Sequence, residues 1–247
     1  MNDRAVSDVV GYVLVFSLII ATVGVVTTVG FSTLDDRQSA ERIGNIERAF
    51  DVFATNVEDI YREGAPSRAT EMRLAGGEIY HGDSISITIA VQDEEGTNVT
   101  VTPRPFVYAD GETEIVYVAG SVIRSEPSSA VMLREPPFYM GAETAMFPLV
   151  DTFRTTGPET VSTSGTVRIT STARPMNTTV PSAFSEPGQT YTISVESPRS
   201  DAWARYFEEQ DGIGNVVHEE SAGIVTGEID AEEIHAPRFR VRLRFAE

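Results

Sequence analysis

The chain has 247 residues, with 37 aspartates and glutamates against 19 basic residues, for a formal net charge of −18. All 19 basic residues are arginine, and the sequence has neither lysine nor cysteine. The negative charge argues against binding to nucleic acid or to anionic lipid. The lack of cysteine excludes disulfides, thiol catalysis and thiolate metal sites.

A hydrophobic segment follows a polar leader at residues 1–5. No charged residue occurs from Val9 to Phe31, and as a helix this stretch is roughly 33 Å long, about one hydrocarbon core. The apolar run is too long for a secretory signal, and no small-residue cleavage site precedes a polar start. We therefore predict a retained transmembrane helix over residues 6–34.

The next segment, residues 35–65, continues the helix with an apolar stripe on one face. The stripe residues recur at steps of three and four: Ile43, Ile46, Phe50, Phe53, Val57 and Ile60. Gly64 and Pro66 are stop signals for this helix. The stripe predicts packing on a following domain or on neighbouring subunits.

Residues 66–247, called the head below, change to a period of two that is typical of half-buried strands. The alternating runs lie at 85–91, 115–119, 167–169, 191–195 and 238–245. The predicted fold class is therefore α+β, a long N-terminal helix followed by an all-β antiparallel sandwich-like head.

Shorter features of the head are also predictable. Gly76-Gly77 and Asp110-Gly111 are candidate hairpin turns, and residues 155–165 are typical of a mobile loop. One short helix is predicted at Asp201–Gln210, with Ser200 as its cap and with Trp203 and Phe207 on one face.

The flanks of the hydrophobic segment indicate its orientation. Arg4 precedes it, whereas Asp35 and Asp36 follow it, which favours a cytoplasmic N-terminus and an exterior head. Two glycosylation sequons, at Asn98 and Asn177, fit an exterior head.

The stretch RAVSDVVGYVLVFSLIIATVGVV resembles the class III signal and first helix of archaeal type IV pilins and archaellins. The resemblance implies that a prepilin peptidase recognises Arg4 and Ala5 and cuts between Ala5 and Val6. The hydrophobic helix then stays on the protein. Stretches such as ERAFDVFATNVEDI and ESPRSDAWARYFEE are similar to a haloarchaeal family of pilin-like proteins with no assigned function.

Asp8 would be the third residue of the mature chain. Bacterial-type pilins usually carry a glutamate at the fifth mature position, which neutralises a neighbour's N-terminal amine, and that position is Val10 here. Asp8 either replaces this glutamate as an assembly residue or is a hydrated acid at the membrane edge.

The excess of acid without lysine is similar to the composition of halophilic archaeal proteins. In molar salt the Debye length falls to about 3 Å, so self-repulsion is screened. An arginine-biased genome is the alternative explanation. The halophilic interpretation predicts that the head loses stability at low salt.

Residues with catalytic or metal-binding potential are scattered. His81, His218 and His235 have no ligand spacing, and we expect surface or turn roles for them. Two acidic clusters, Asp93-Glu94-Glu95 and Asp230 with Glu232 and Glu233, follow no calcium-loop pattern. No nucleophile elbow or phosphate loop occurs, so we predict no enzyme activity, no metal and no cofactor.

Arg238, Arg240, Arg242 and Arg244 form an arginine ladder on one face of one predicted strand. One interpretation is cross-strand pairing with acidic neighbours. The other is contact with an anion, an acidic glycan or an acidic neighbouring subunit.

Three functions remain open at this point. The first is a pilin-like subunit of a surface filament, expected to be a minor subunit, with the membrane, prepilin peptidase and similar subunits as partners. The second is a single-pass surface protein whose head binds a ligand or partner. The third is an extracellular enzyme, for which the sequence offers no catalytic set.

Overall fold

The computed structural model describes residues 3–91, 98–155, 157–174, 183–184 and 190–246; within these, the side chains of 3–9, 28–36 and 183–184 are not described. The chain divides into two compact units, Met1–Asn45 and Ile46–Glu247. The boundary falls inside one helix, α1, which runs from Asp3 to Arg62.

The smaller unit is the first part of α1. Its window Val10–Thr27 has a mean hydropathy of 2.3, and none of its residues is buried. By length and composition this window is able to cross a membrane. Tyr12 and Phe16 stack on its surface with ring centroids 6.3 Å apart.

In the larger unit, Ile46–Arg62 of α1 packs through its apolar stripe. The five predicted stripe residues from Ile46 to Ile60 are buried here, and Ile43, which belongs to the smaller unit, is buried as well. Phe50 and Phe53 lie 5.1 and 5.0 Å from the Phe106 ring, and Phe53 meets Tyr117 edge-on at 5.0 Å. Removal of these apolar side chains from water therefore stabilises the packing of this part of α1 on the core of the head.

The described part of the head holds nineteen strands, whose bounds follow. They are β1 Ser67–Arg73, β2 Glu78–His81, β3 Ser86–Val91, β4 Asn98–Val101, β5 Phe106–Asp110, β6 Thr113–Val118, β7 Ser121–Glu126, β8 Ser129–Arg134, β9 Tyr139–Met140, β10 Thr144–Met146, β11 Leu149–Arg154, β12 Thr160–Ser162, β13 Thr166–Arg174, β14 Ala183–Phe184, β15 Tyr191–Glu196, β16 Ile213–Glu219, β17 Ile224–Ile229, β18 Glu233–His235 and β19 Arg238–Ala246. One α-helix, α2, spans Ser200–Glu208, and a short 3₁₀ turn spans Glu220–Ala222.

The prediction of a single antiparallel sandwich is wrong. The strands form four small sheets in a propeller-like ring. Their strand orders are β1-β13-β19-β11, β14-β18-β10-β9, β12-β2-β5-β6-β7-β8 and β16-β17-β15-β3-β4. Two pairs, β11 with β19 and β10 with β18, are parallel.

The error has a physical reason. Alternation identifies strands, but it does not say which strands pair. β1 and β2 are consecutive in sequence yet belong to different sheets. β6 is buried at four successive residues, 115–118, so both of its faces are covered there and its alternation carries little information.

Two predicted turns have different outcomes. Asp110-Gly111 is a hairpin turn as predicted, because Asp110 pairs with Thr113 and Gly111 has φ +63. Gly76-Gly77 does not form a hairpin, since it links two sheets. A Cβ at Gly77 would lie 2.5 Å from the Tyr108 ring, so only glycine leaves room for the tyrosine at this position.

Two other local predictions need correction. Residues 155–165 are not a loop throughout, because β12 pairs with β2 there. Ala119 is not a strand residue; it has φ +51 in the turn between β6 and β7.

Helix α2 is close to its predicted position, but Ser200 is not its cap. Arg199 holds the N-cap position, and it makes no side-chain capping bond. Trp203 and Phe207 are buried as predicted, with ring centroids 6.3 Å apart. The helix thereby fills the core between strands β8, β15, β16 and β17.

Candidate functional site: an arginine face and an aromatic cleft

The arginine ladder lies on β19, and the predicted alternation there is confirmed. Val241, Leu243 and Phe245 are buried, while Arg240 and Arg244 are exposed and Arg238 and Arg242 are half-buried. Phe245 packs on Phe106 at 5.5 Å. The apolar side of β19 therefore anchors the strand to the core and turns the arginines outward.

Strand register extends the ladder across the sheet. β13 lies antiparallel to β19, with Thr170 opposite Arg244, Thr172 opposite Arg242 and Arg174 opposite Arg240. β1 continues this side, with Glu71 opposite Arg168. We call this side of the sheet the arginine face. Its arginines are Arg73, Arg168, Arg174, Arg238, Arg240, Arg242 and Arg244.

The arginine face has few acids to offset its charge. On this side the described strands contribute Glu71 and Asp151, so seven positive charges meet two negative ones. The rest of the chain holds 35 acids and 12 arginines, a net charge of −23. Positive charge is thus concentrated on one side of this sheet, although the chain as a whole is strongly acidic.

One ladder arginine fits the cross-strand pairing interpretation. Arg240 Nε lies 3.0 Å from Asp151 Oδ2 on β11, and its guanidinium lies 4.3 Å from the Phe153 ring centroid. Burial raises the pKa of Asp151, and Arg240 acts in the opposite direction. Within the described residues, the other six arginines of the face have no ion-pair partner.

A second surface feature is a cleft of about 580 Å³ beside the last turns of α1. Its walls include Tyr61 and Phe239, whose rings are 5.0 Å apart, and Tyr139, which is 64% exposed. Glu58 lies at the cleft between two arginines, Arg62 and Arg134. Aromatic walls with a few fixed polar groups are typical of ligand sites.

Arg134 also fixes one wall of the cleft to the helix. Its guanidinium donates to Asp51 Oδ1 and Glu58 Oε2 at 2.7 Å each, and to Thr55 Oγ1 at 3.0 Å. Since Arg134 ends β8 and its three partners lie on α1, this network ties the sheet to the helix.

Tyr61 in the cleft wall and Tyr117 in the core have shifted acidity. Burial, and then Glu58, raise the pKa of Tyr61 to about 12. Tyr117 is fully buried, which raises its pKa strongly, and among the described residues its hydroxyl has no hydrogen-bond partner. The turn beside it is tight, because a Cβ at Gly120 would lie 2.4 Å from Pro137 Cδ.

The three histidines lie in separate environments. His81 lies 6.2 Å from Phe106 and 5.9 Å from Phe245, ring centre to ring centre. Burial, and then Arg104 and Arg154, lower the pKa of His81 to about 4. His235 lies 3.3 Å from Glu233. Our expectation of a surface or turn role is wrong for His81, which ends β2 half-buried against these two rings.

His218 has neighbours of the types found in hydrolytic triads. Its Nε2 lies 3.0 Å from Ser200 Oγ and 3.7 Å from Asp201 Oδ1. In a triad the acid holds the ring nitrogen opposite the serine, whereas both contacts here use Nε2. Ser200 is also 5% exposed. This arrangement therefore lacks triad geometry.

The remaining predicted site residues are placed as follows. Asn98 is exposed at the start of the edge strand β4. Arg4, Ala5, Val6 and Asp8 belong to α1, but their side chains lie outside the described residues. Asn177 and the cluster Asp93-Glu94-Glu95 also lie outside them. In the part of the chain that is described, no three histidine or acidic side chains converge as metal ligands.

Sequence reasoning missed the arginines of the face that lie on β1 and β13. Arg73, Arg168 and Arg174 are far from the ladder in sequence, and only the register brings them beside it. A weak signal existed, because Arg168 alternates with the buried Val167 and Ile169. The cleft had no sequence signal, since its walls come from distant segments.

These features define a class: a β-rich protein of four small sheets with one N-terminal apolar helix long enough to span a membrane. The chain belongs to the family of unknown function DUF7289, whose model matches residues 4–244. The family description contains no link to pilins. Comparison with curated proteins and with solved structures gives no match.

Proposed function

We propose that this protein is a pilin-like subunit of a surface filament, held in the membrane by α1 before assembly and carrying its head outside the cell. The observation that supports this most is the first part of α1. Eighteen successive residues, Val10–Thr27, are apolar enough to span a membrane and bury none of their surface within the protein. Lipid or other helices are the partners that such a surface fits.

The N-terminal residues supply the second line of support. Arg4 and Ala5 precede the apolar run in the pattern that the prepilin peptidase recognises in archaeal pilins. Cleavage before Val6 would leave α1 intact from Val6 to Arg62. Helices without charge associate through small residues, and Gly11 and Gly24 leave open space at their Cβ positions.

The test is mass spectrometry of the N-terminal peptide after the protein is produced in an archaeal host that has prepilin peptidase. We expect a chain that begins at Val6, and we expect sheared surface filaments to contain it. The variant Arg4→Glu/Ala5→Val should keep Met1 and remain in the membrane, whereas Asn2→Ser, outside the recognition pair, should be processed normally. A wild-type chain that keeps Met1 would contradict the proposal.

The second candidate is a single-pass surface protein whose head binds a ligand without polymerising. The aromatic cleft favours it, because filament assembly through α1 does not require such a cleft. A processed or unprocessed chain found in membranes, and never in sheared filaments, would favour this candidate over the first.

A further inference from the structure

We propose that the arginine face of one copy docks on the acidic surface of a second copy of this chain. The inference rests on the proposed function in one respect: α1 holds neighbouring copies side by side in a membrane or filament. The partner's acidic surface is formed by the end of α2 and by β16–β17.

The geometry of the face suits a broad protein contact. Arginines at alternate residues of β19 are ~6.8 Å apart along the strand, and neighbouring strands are ~4.8 Å apart. Thr170 and Thr172 stand between the arginines of β13 and offer hydroxyl groups. The result is an array of cations on three strands, each able to bind a carboxylate through two donors.

The same chain carries a complementary surface. Residues 208–233 hold nine acids and no arginine. The exposed acids at the end of α2, on β16 and in the flanking turns are Glu208, Glu209, Asp211, Glu219, Glu220, Asp230 and Glu232. α2, β16 and β17 contact one another, so these acids share one region of the head.

Charge complementarity favours a second copy over a soluble polyanion. Both kinds of partner meet the long-range repulsion of a chain with charge −18. At physiological salt the Debye length is about 8 Å, so only a partner brought close feels the arginine face. Copies anchored by α1 are held close at high effective concentration, whereas a free polyanion is not.

The contact has a defined symmetry. A positive face cannot pair with itself, and the acidic region lies on a different sheet from the arginine face. The proposed interface is heterologous, in which one surface of each copy meets a different surface of the next. Contacts of this kind form rings or open-ended arrays, and an open-ended array is what a filament needs.

The experiment uses the full chain in lipid vesicles and exploits its lack of cysteine. A single thiol introduced by Thr170→Cys on the arginine face carries a benzophenone label. The matched control is Val131→Cys on β8, which is 49% exposed in the wild-type protein and lies on another sheet. After illumination we expect dimers from the first position, with cross-links in residues 208–233 of the other copy, and few dimers from the control.

Charge reversal tests whether the labelled copy supplies the arginine face and the other copy supplies the acidic surface. Arg242→Glu/Arg244→Glu in the labelled copy should reduce dimer yield about tenfold. The same reversal in an unlabelled acceptor should leave the yield unchanged, because the acceptor uses its acidic surface. Glu219→Arg/Glu220→Arg in the acceptor should restore cross-linking to the reversed donor.

Several outcomes would overturn the inference: equal yields from both labelled positions, cross-links outside 208–233, or equal losses from reversing donor and acceptor. Binding of dextran sulfate to the face without any dimer would also overturn it, in favour of a polyanion. The test is independent of N-terminal processing. An intact Met1 therefore contradicts the filament proposal alone, and missing dimers contradict this inference alone.

Discussion

The two parts of α1 share one helical backbone and differ in what they do with apolar side chains. In the first part, Val10–Thr27, every residue is exposed although mean hydropathy is 2.3. In the second, Ile46–Arg62, apolar residues line one face and are buried, with Phe50, Phe53 and Val57 fully so. The comparison teaches that the distribution of apolar residues around a helix, and not helix propensity, identifies its surroundings.

Phe53→Ala should produce the largest effect and should confine it to the second part. Phe53 is fully buried between Phe106 and Tyr117, so truncation should lower the free energy of unfolding by about 3–5 kcal/mol. Denaturant unfolding of the full chain in detergent measures this. Val52→Ala, at a neighbouring residue that is 52% exposed, should change it by less than about 0.5 kcal/mol.

Ile19→Arg should affect the first part alone. A charge at the centre of the apolar window should cost about 3 kcal/mol of membrane insertion. The share of the protein that resists carbonate extraction should therefore fall, while the unfolding of the head stays at the wild-type value. Ile19→Leu is the control. Unchanged extraction of the arginine variant would mean that this part of α1 does not lie in lipid.

His81 should have a smaller, pH-dependent effect on the free energy of unfolding. Its ring lies beside Phe106, which also packs on the second part of α1. Its folded pKa of about 4 lies below the ordinary value of 6.5, so the unfolded chain takes up a proton before the folded one does. His81 should therefore reduce stability as the pH falls from 6.5 towards 4, on the order of 2 kcal/mol.

Melting temperatures of wild type and His81→Gln at pH 7 and pH 4.5 check this. Glutamine does not titrate, so the variant should lose less stability between the two pH values. Equal losses would show that the carboxylates alone cause the acid sensitivity.

The helix and many strands were predictable because their signals are local. The stripe from Ile43 to Ile60 and the alternation in β3, β13, β15 and β19 are periodicities that neighbouring residues define. The sheet arrangement was not predictable in this way. Placing β19 between β13 and β11 joins residues about 70 to 90 positions apart, and no local pattern specifies such pairs.

The candidate site also combines features that a local sequence pattern predicts with features that depend on the complete fold. The ladder from Arg238 to Arg244 is one local repeat, and the sequence indicated it directly. Arg73, Arg168 and Arg174 join it only through strand register. The cleft needs Tyr61, Tyr139 and Phe239 to meet from three separate segments, which depends on the complete fold.

The place of β19 in its sheet has a consequence for synthesis. A chain that emerges from its N-terminus presents β1, β11 and β13 before β19, yet β19 is the strand that joins β11 to β13. Phe245, near the end of β19, also completes the aromatic cluster around Phe106 and His81. Until residues 238–246 have emerged, β11 and β13 have no strand between them, so this sheet is completed only at the end of synthesis.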